Sequence, residues 1–101
     1  MPIEPSTVVA QSKDQVSCSL NNEVAILNLN STLYFGLDEV GACIWQALDE
    51  PQPACELCQV VLDRFEVEEA QCRQDVLAFL SKLEDAGLVE IVQSPSSATN
   101  L

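Results

Sequence analysis

Cys55 and Cys58 form a C-x-x-C pair, and Cys18, Cys43 and Cys72 bring the total to five cysteines in a chain with no histidine. A structural zinc site needs four nitrogen or sulfur ligands, and neither a second C-x-x-C nor a His-x-His stretch completes one. A redox C-x-x-C sits at a strand-to-helix junction, whereas this pair falls inside a helical pattern. An odd cysteine count argues against a disulfide framework. The thiols therefore read as small buried hydrophobes. Nucleophilic catalysis by Ser or Cys needs a base, and without histidine neither a Ser–His nor a Cys–His scheme can be built. Carboxylates are abundant, but Asp49, Glu50, Glu66, Glu68 and Glu69 lie at helix ends, where negative charge favours the helix dipole. No glycine-rich phosphate loop is present. No catalytic residue, metal or cofactor is expected, and the chain reads as a non-enzyme.

The remaining chemistry is that of the backbone. The segment LYFGL at 33–37 is rich in strand formers and would close a three-stranded meander, where its outer N–H and C=O groups lack partners. Open edges are usually blunted by charge or proline, yet Leu33, Tyr34, Phe35, Gly36 and Leu37 supply neither. Such an edge is either covered by its own chain or kept for a partner strand. A second wall is expected from a helix whose apolar arc is wider than one-sided packing requires. Val76, Leu80 and Leu83 form its core stripe with Leu77, while Cys72 and Phe79 fall toward its margin, flanked by Asp75 and Lys82. The candidate peptide-binding set is thus Leu33, Tyr34, Phe35, Gly36, Leu37, Cys72, Asp75, Val76, Phe79, Leu80, Lys82 and Leu83.

The elements that must position these residues follow from periodicity. Val16, Cys18 and Leu20 alternate with polar residues, Asn21-Asn22 signals a turn, and EVAILNLN at 23–30 gives a second strand. Asn30-Ser31-Thr32 marks the next turn before 33–37. The period then becomes helical: Asp38 is a good N-cap for Val40, Ile44 and Leu48, with Trp45 beside them. Pro53 opens a second helix carrying Leu57, Val61 and Phe65. A third runs from about Glu68 to Ala86, and Gly87 with Leu88 suits a Schellman stop. Val8-Val9 and VEIV at 89–92 read as extended. Strands followed by helices define an α+β domain, here a winged helix-turn-helix-like arrangement of a three-stranded antiparallel sheet and three helices. Residues 1–7 are expected to be a flexible N-terminus, 8–92 the domain, and 93–101 a flexible tail.

The chain has 101 residues, enough for one domain with a modest core. Sixteen acidic residues against four basic ones give a net charge of −12. Such a surface repels phosphate backbones and anionic lipid, so neither nucleic acid nor membrane is an expected partner. No apolar run approaches a bilayer span, and no export signal opens the chain, so the cytoplasm is the expected compartment. Two further functions are open to such a fold: an acidic winged-helix regulator of DNA, disfavoured by the few basic residues on its helices, and a protein–protein adaptor subunit.

The ordered set Leu27, Leu29, the 30–32 turn, Tyr34-Phe35, Gly36-Leu37, Asp38, Val40-Gly41-Ala42 and Ile44-Trp45 resembles the PqqD family, the precursor-peptide recognition elements of ribosomally made, modified peptides. Asp75, Val76, Phe79, Leu80, Leu83, Gly87 and Leu88 resemble the family's closing helix and stop. Thr32, where glycine is frequent, and Asp38, where Asn is common, depart from the pattern. The resemblance implies a stand-alone domain that binds a precursor's leader peptide as an extra antiparallel strand, between the third strand of the meander and the third helix. Tyr-Phe-Gly-Leu with Ile-Trp is more similar to the lasso-peptide branch. That branch implies a separate cysteine leader peptidase subunit as working partner, with a cyclase acting afterwards.

Overall fold

The computed structural model describes residues 3–21 and 23–93. In chain order its elements are β1 (Val8–Gln11), β2 (Gln15–Leu20), β3 (Glu23–Asn28), β4 (Tyr34–Leu37), α1 (Glu39–Ala47), β5 (Gln52–Pro53), α2 (Ala54–Arg64), α3 (Glu69–Asp85) and β6 (Val89–Gln93). The expected meander forms as the antiparallel sheet β2-β3-β4, and the three expected helices follow it. A second antiparallel sheet, ordered β5-β1-β6, was not expected as a sheet. Val8-Val9 and 89–92 read as extended from sequence, but they pair with each other across the length of the chain, Val9 opposite Ile91 and Gln11 opposite Val89.

Alternation fixes which face of the meander is buried. Val24 and Ile26 of β3 are 2% and 0% exposed, and their partners Leu37 and Phe35 in β4 point the same way. These side chains pack with Ile44, Trp45, Leu57, Val61, Val76, Leu80 and Leu83 in one core. Burying a side chain of this size contributes about 1.5–3 kcal/mol, which makes the core the main source of stability. The outer face carries Val16, Leu27 and Tyr34, opposite one another in register and all exposed.

The turns use the residues their geometry requires. Asn21 takes φ 59°, as a tight hairpin demands of its first turn residue. At the second turn Asn28, 5% exposed, is the organiser. Its Oδ1 accepts from the backbone N–H groups of Asn30 and Ser31 at 2.8 and 3.2 Å, and its Nδ2 donates to the Ala86 carbonyl at 2.7 Å. Thr32 is held at φ 60°, a left-handed conformation that a β-branched side chain resists.

Helix ends are equally explicit. Asp38 Oδ1 accepts from Gly41 N–H at 2.9 Å and caps α1. Pro53, expected at the first turn of α2, is instead its N-cap and also half of β5, where a residue without an N–H fits an edge. At the end of α3, Leu88 N–H donates to Leu83 O and Gly87 N–H to Glu84 O, both at 2.9 Å, with Gly87 at φ 77°. This is the Schellman stop, and Leu88 and Leu83 are both buried beneath it.

Residues 3–7 differ from the loose end read from sequence. Ile3 and Thr7 are buried, and the Pro5 and Thr7 carbonyls accept from Cys55 and Ala54 N–H at 2.8 and 2.9 Å, satisfying otherwise unpaired donors at the start of α2. Of the tail expected over 93–101, Gln93 ends β6 and the rest lies outside the described residues.

Candidate functional site

β4 pairs with β3 alone, so among the described residues its other edge is open. Asn28 N–H donates to Leu33 O at 2.9 Å. Antiparallel pairing alternates between bonded and non-bonded pairs. With Leu27 opposite Tyr34 and Ala25 opposite Gly36, the backbone groups of Tyr34 and Gly36 therefore point away from β3. They form a free template for an added strand.

Beside this edge runs an apolar groove of about 470 Å³. β4 contributes Gly36 and Leu37, the start of α1 contributes Asp38, Val40, Gly41 and Ile44, and the far wall is Gln71, Cys72, Asp75, Val76 and Phe79 of α3. Val61 of α2 and Val67 of the α2–α3 connection close one end. Gly41 makes the close approach of α1 and α3 feasible: a Cβ there would lie 3.2 Å from Phe79 Cζ and 3.3 Å from Leu37 Cβ. Cys72 Sγ donates to the Cys58 carbonyl at 3.7 Å. Burial pushes the Cys72 thiol above its ordinary range, and Asp75 and Glu69 push it the same way. Burial raises Cys58 too, with Cys72 adding to it. Both are neutral thiols at physiological pH, apolar contacts rather than nucleophiles.

Of the residues named from sequence, Gly36, Leu37, Cys72, Asp75, Val76 and Phe79 come together in this groove. Tyr34 and Leu33 are exposed at 71% and 58%, Tyr34 on the outer face of the sheet. Phe35 is half-buried against the core. Leu80 and Leu83 lie inside the core behind the α3 wall, and Lys82 is exposed outside the groove lining. Sequence reasoning did not assign Asp38, Val40, Gly41, Ile44, Val61, Val67 or Gln71 to the site; Asp38 was read only as a helix cap. Val40 and Val67 stand out only in the folded structure, as large apolar residues left 36% and 44% exposed.

Open edge and groove lie side by side in a small α+β module. The model of the family described as coenzyme PQQ synthesis protein D (PqqD) matches residues 23–89, and the chain belongs to that family. Among solved structures it is similar to TbiB1 in complex with the TbiA(beta) leader peptide, with 30% sequence identity, 84% of this chain and 99% of that chain covered, and a TM-score of 0.77. It also shares its fold with a lasso peptide synthetase B1 complexed with the leader peptide, at 20% identity, 81% and 96% coverage and a TM-score of 0.72. No curated protein matches the sequence.

Proposed function

We propose that this chain binds the leader segment of a ribosomally made precursor, of the lasso-peptide class, as an antiparallel strand added to β4. The observation that carries this reading is the free backbone of Tyr34 and Gly36 lying beside an apolar groove. The resemblance in fold to two leader-bound proteins supports it. Main-chain hydrogen bonds to 33–37 supply affinity that is indifferent to leader sequence, and alternate side chains drop toward Leu37, Val40, Cys72, Asp75, Val76 and Phe79 to supply specificity. Leu80 and Leu83 hold that wall from within the core.

Each buried anchor contributes about 1.5–3 kcal/mol, so two or three anchors, less the cost of association, give micromolar or somewhat tighter binding. In this reading the chain catalyses nothing. It works in the cytoplasm, holding the precursor for a cysteine leader peptidase subunit and then a cyclase. Among the described residues no helix is long and apolar enough to cross a membrane.

The test is titration of the isotope-labelled protein with the leader peptide of whichever short precursor its neighbouring genes encode, followed by amide shifts. Shifts centred on 33–37 and the exposed side of α3 are expected. Saturable binding that shifts only β5-β1-β6, or no binding at about 100 µM, a hundredfold above the micromolar range, would remove the proposal.

A further inference from the structure

The groove has a polarity that backbone pairing and apolar anchoring do not explain. Its lining holds two carboxylates, Asp38 and Asp75, and neither Lys nor Arg. Both residues are exposed at the surface. Each has one oxygen engaged: Asp38 Oδ1 caps Gly41 at 2.9 Å, and Asp75 Oδ1 accepts from Gln71 Nε2 at 2.9 Å. Neither forms an ion pair with a described residue. None of the chain's four cations lines the groove: Arg73 pairs with Glu69 at 3.2 Å, Arg64 donates to Cys43 Sγ at 3.7 Å in a separate hollow, and Lys13 and Lys82 are exposed outside the lining. Two unneutralised carboxylates thus rim an apolar floor of Leu37, Val40, Ile44, Val61, Val76 and Phe79, in a protein whose net charge is −12.

A side chain that fits such a rim has an aliphatic stem to lie along the apolar wall and a cationic head to meet the carboxylates. We infer that the peptide strand held in this groove presents a Lys or Arg to Asp38 and Asp75 beside its apolar anchors, and that a strand with an acidic residue at that place is rejected. The inference rests on the reading of the groove as a leader site and specifies the chemistry of that leader. The carboxylates supply selectivity more than affinity, because exposed pairs are weak whereas like-charge juxtaposition opposes docking of the wrong segment.

The experiment compares three fluorescein-labelled versions of the leader peptide that binds in the titration above: the native peptide, one with every Lys and Arg of the bound segment changed to Gln, and one with the same positions changed to Glu. Truncation locates the bound segment first. Each is titrated by fluorescence polarisation against the wild-type protein, the double variant Asp38→Asn/Asp75→Asn, and Glu90→Gln. Asn retains the helix cap and the acceptor for Gln71, so the fold is preserved. Glu90→Gln removes a charge from β6 and controls for net charge.

Wild type is expected to bind the Gln peptide about three- to tenfold more weakly than the native one, and the Glu peptide more weakly still. The double variant is expected to bind all three within about twofold. Glu90→Gln should keep the wild-type ranking. Equal binding of the three peptides to wild type overturns the inference, as does a double variant that still discriminates, or a bound segment without Lys or Arg. In those outcomes native leader binding persists, and the leader reading survives. Absence of native leader binding to wild type removes both.

Discussion

The two three-stranded sheets have the same size and opposite uses. In β5-β1-β6 the central Val9 is 0% exposed, one outer strand is only two residues long and ends in Pro53, and pairing joins residues near both ends of the described chain. In β2-β3-β4 only the inner face is buried, and β4 offers four residues with neither charge nor proline. The first sheet has one edge blunted by its two-residue, proline-ended strand and ties the fold together; the second leaves β4 without such a block, at some risk of unwanted pairing. Both sheets contribute to the core, but only the second carries the proposed binding edge.

Substitutions can test that contrast. The largest effect is expected at the joint between α3 and β6: Leu88→Ala, at a site 0% exposed, should lower unfolding free energy by about 2–5 kcal/mol. In denaturant titration this appears as a lower midpoint, while the leader affinity of the folded fraction stays near wild type. At the open edge the pattern reverses. Tyr34→Pro deletes an N–H that points away from β3, and Phe79→Ala removes a half-buried groove wall. Each should weaken leader binding by about 1.5–3 kcal/mol, measured by calorimetry, with a much smaller fall in thermal midpoint. Equal losses of binding and stability would make both residues merely structural. A shallow salt dependence of leader binding is expected alongside, since apolar anchors dominate.

Thr32→Gly should stabilise the protein by about 0.5–1 kcal/mol, because glycine relieves the left-handed strain and returns part of the gain as unfolded-state entropy. The smallest effect concerns the thiols. Iodoacetamide should label exposed Cys18 and Cys55 first and leave Cys43, Cys58 and Cys72 slow. Cys58 and Cys72 have folded pKa values above the ordinary 9.0, so they remain protonated and slow as pH rises to that value. Any stability linked to them is fully present below pH 9.0 and is lost as pH climbs through their folded values, since only the unfolded thiols ionise between the two. A thermal midpoint measured against pH checks the sign.

The local structure was largely legible. The cap at Asp38 and the Gly87-Leu88 stop carry their geometry in adjacent residues, and the structure forms both. Alternation located β3 but not its inner face, since Ala25, Leu27 and Leu29 can share one side whereas Val24 and Ile26 are the buried pair. The second sheet was not legible because its register depends on contacts some eighty positions apart, such as Val9 with Ile91, and on a two-residue strand without a period. The site was half-legible for the same reason. β4 and α3 announce themselves through missing edge protection and a wide apolar arc. The parts supplied by Val40, Val61 and Val67 exist only after α1 and α2 have folded against them. Leu80 and Leu83 fall on the core stripe as their spacing requires, while Val76 of the same stripe also reaches the groove.

Asn28 does more than shape a turn. Its side-chain amide fastens the β3–β4 corner to the Ala86 carbonyl at the C-cap of α3, next to Gly87, where an added Cβ would lie 3.1 Å from Asn28 Nδ2. A helix pinned at that corner cannot slip along the strand, so the spacing between backbone rungs and side-chain sockets is constant. In the proposed complex, lengthening the stretch between two anchors by one residue would turn the second anchor to the opposite side of the strand, away from its socket.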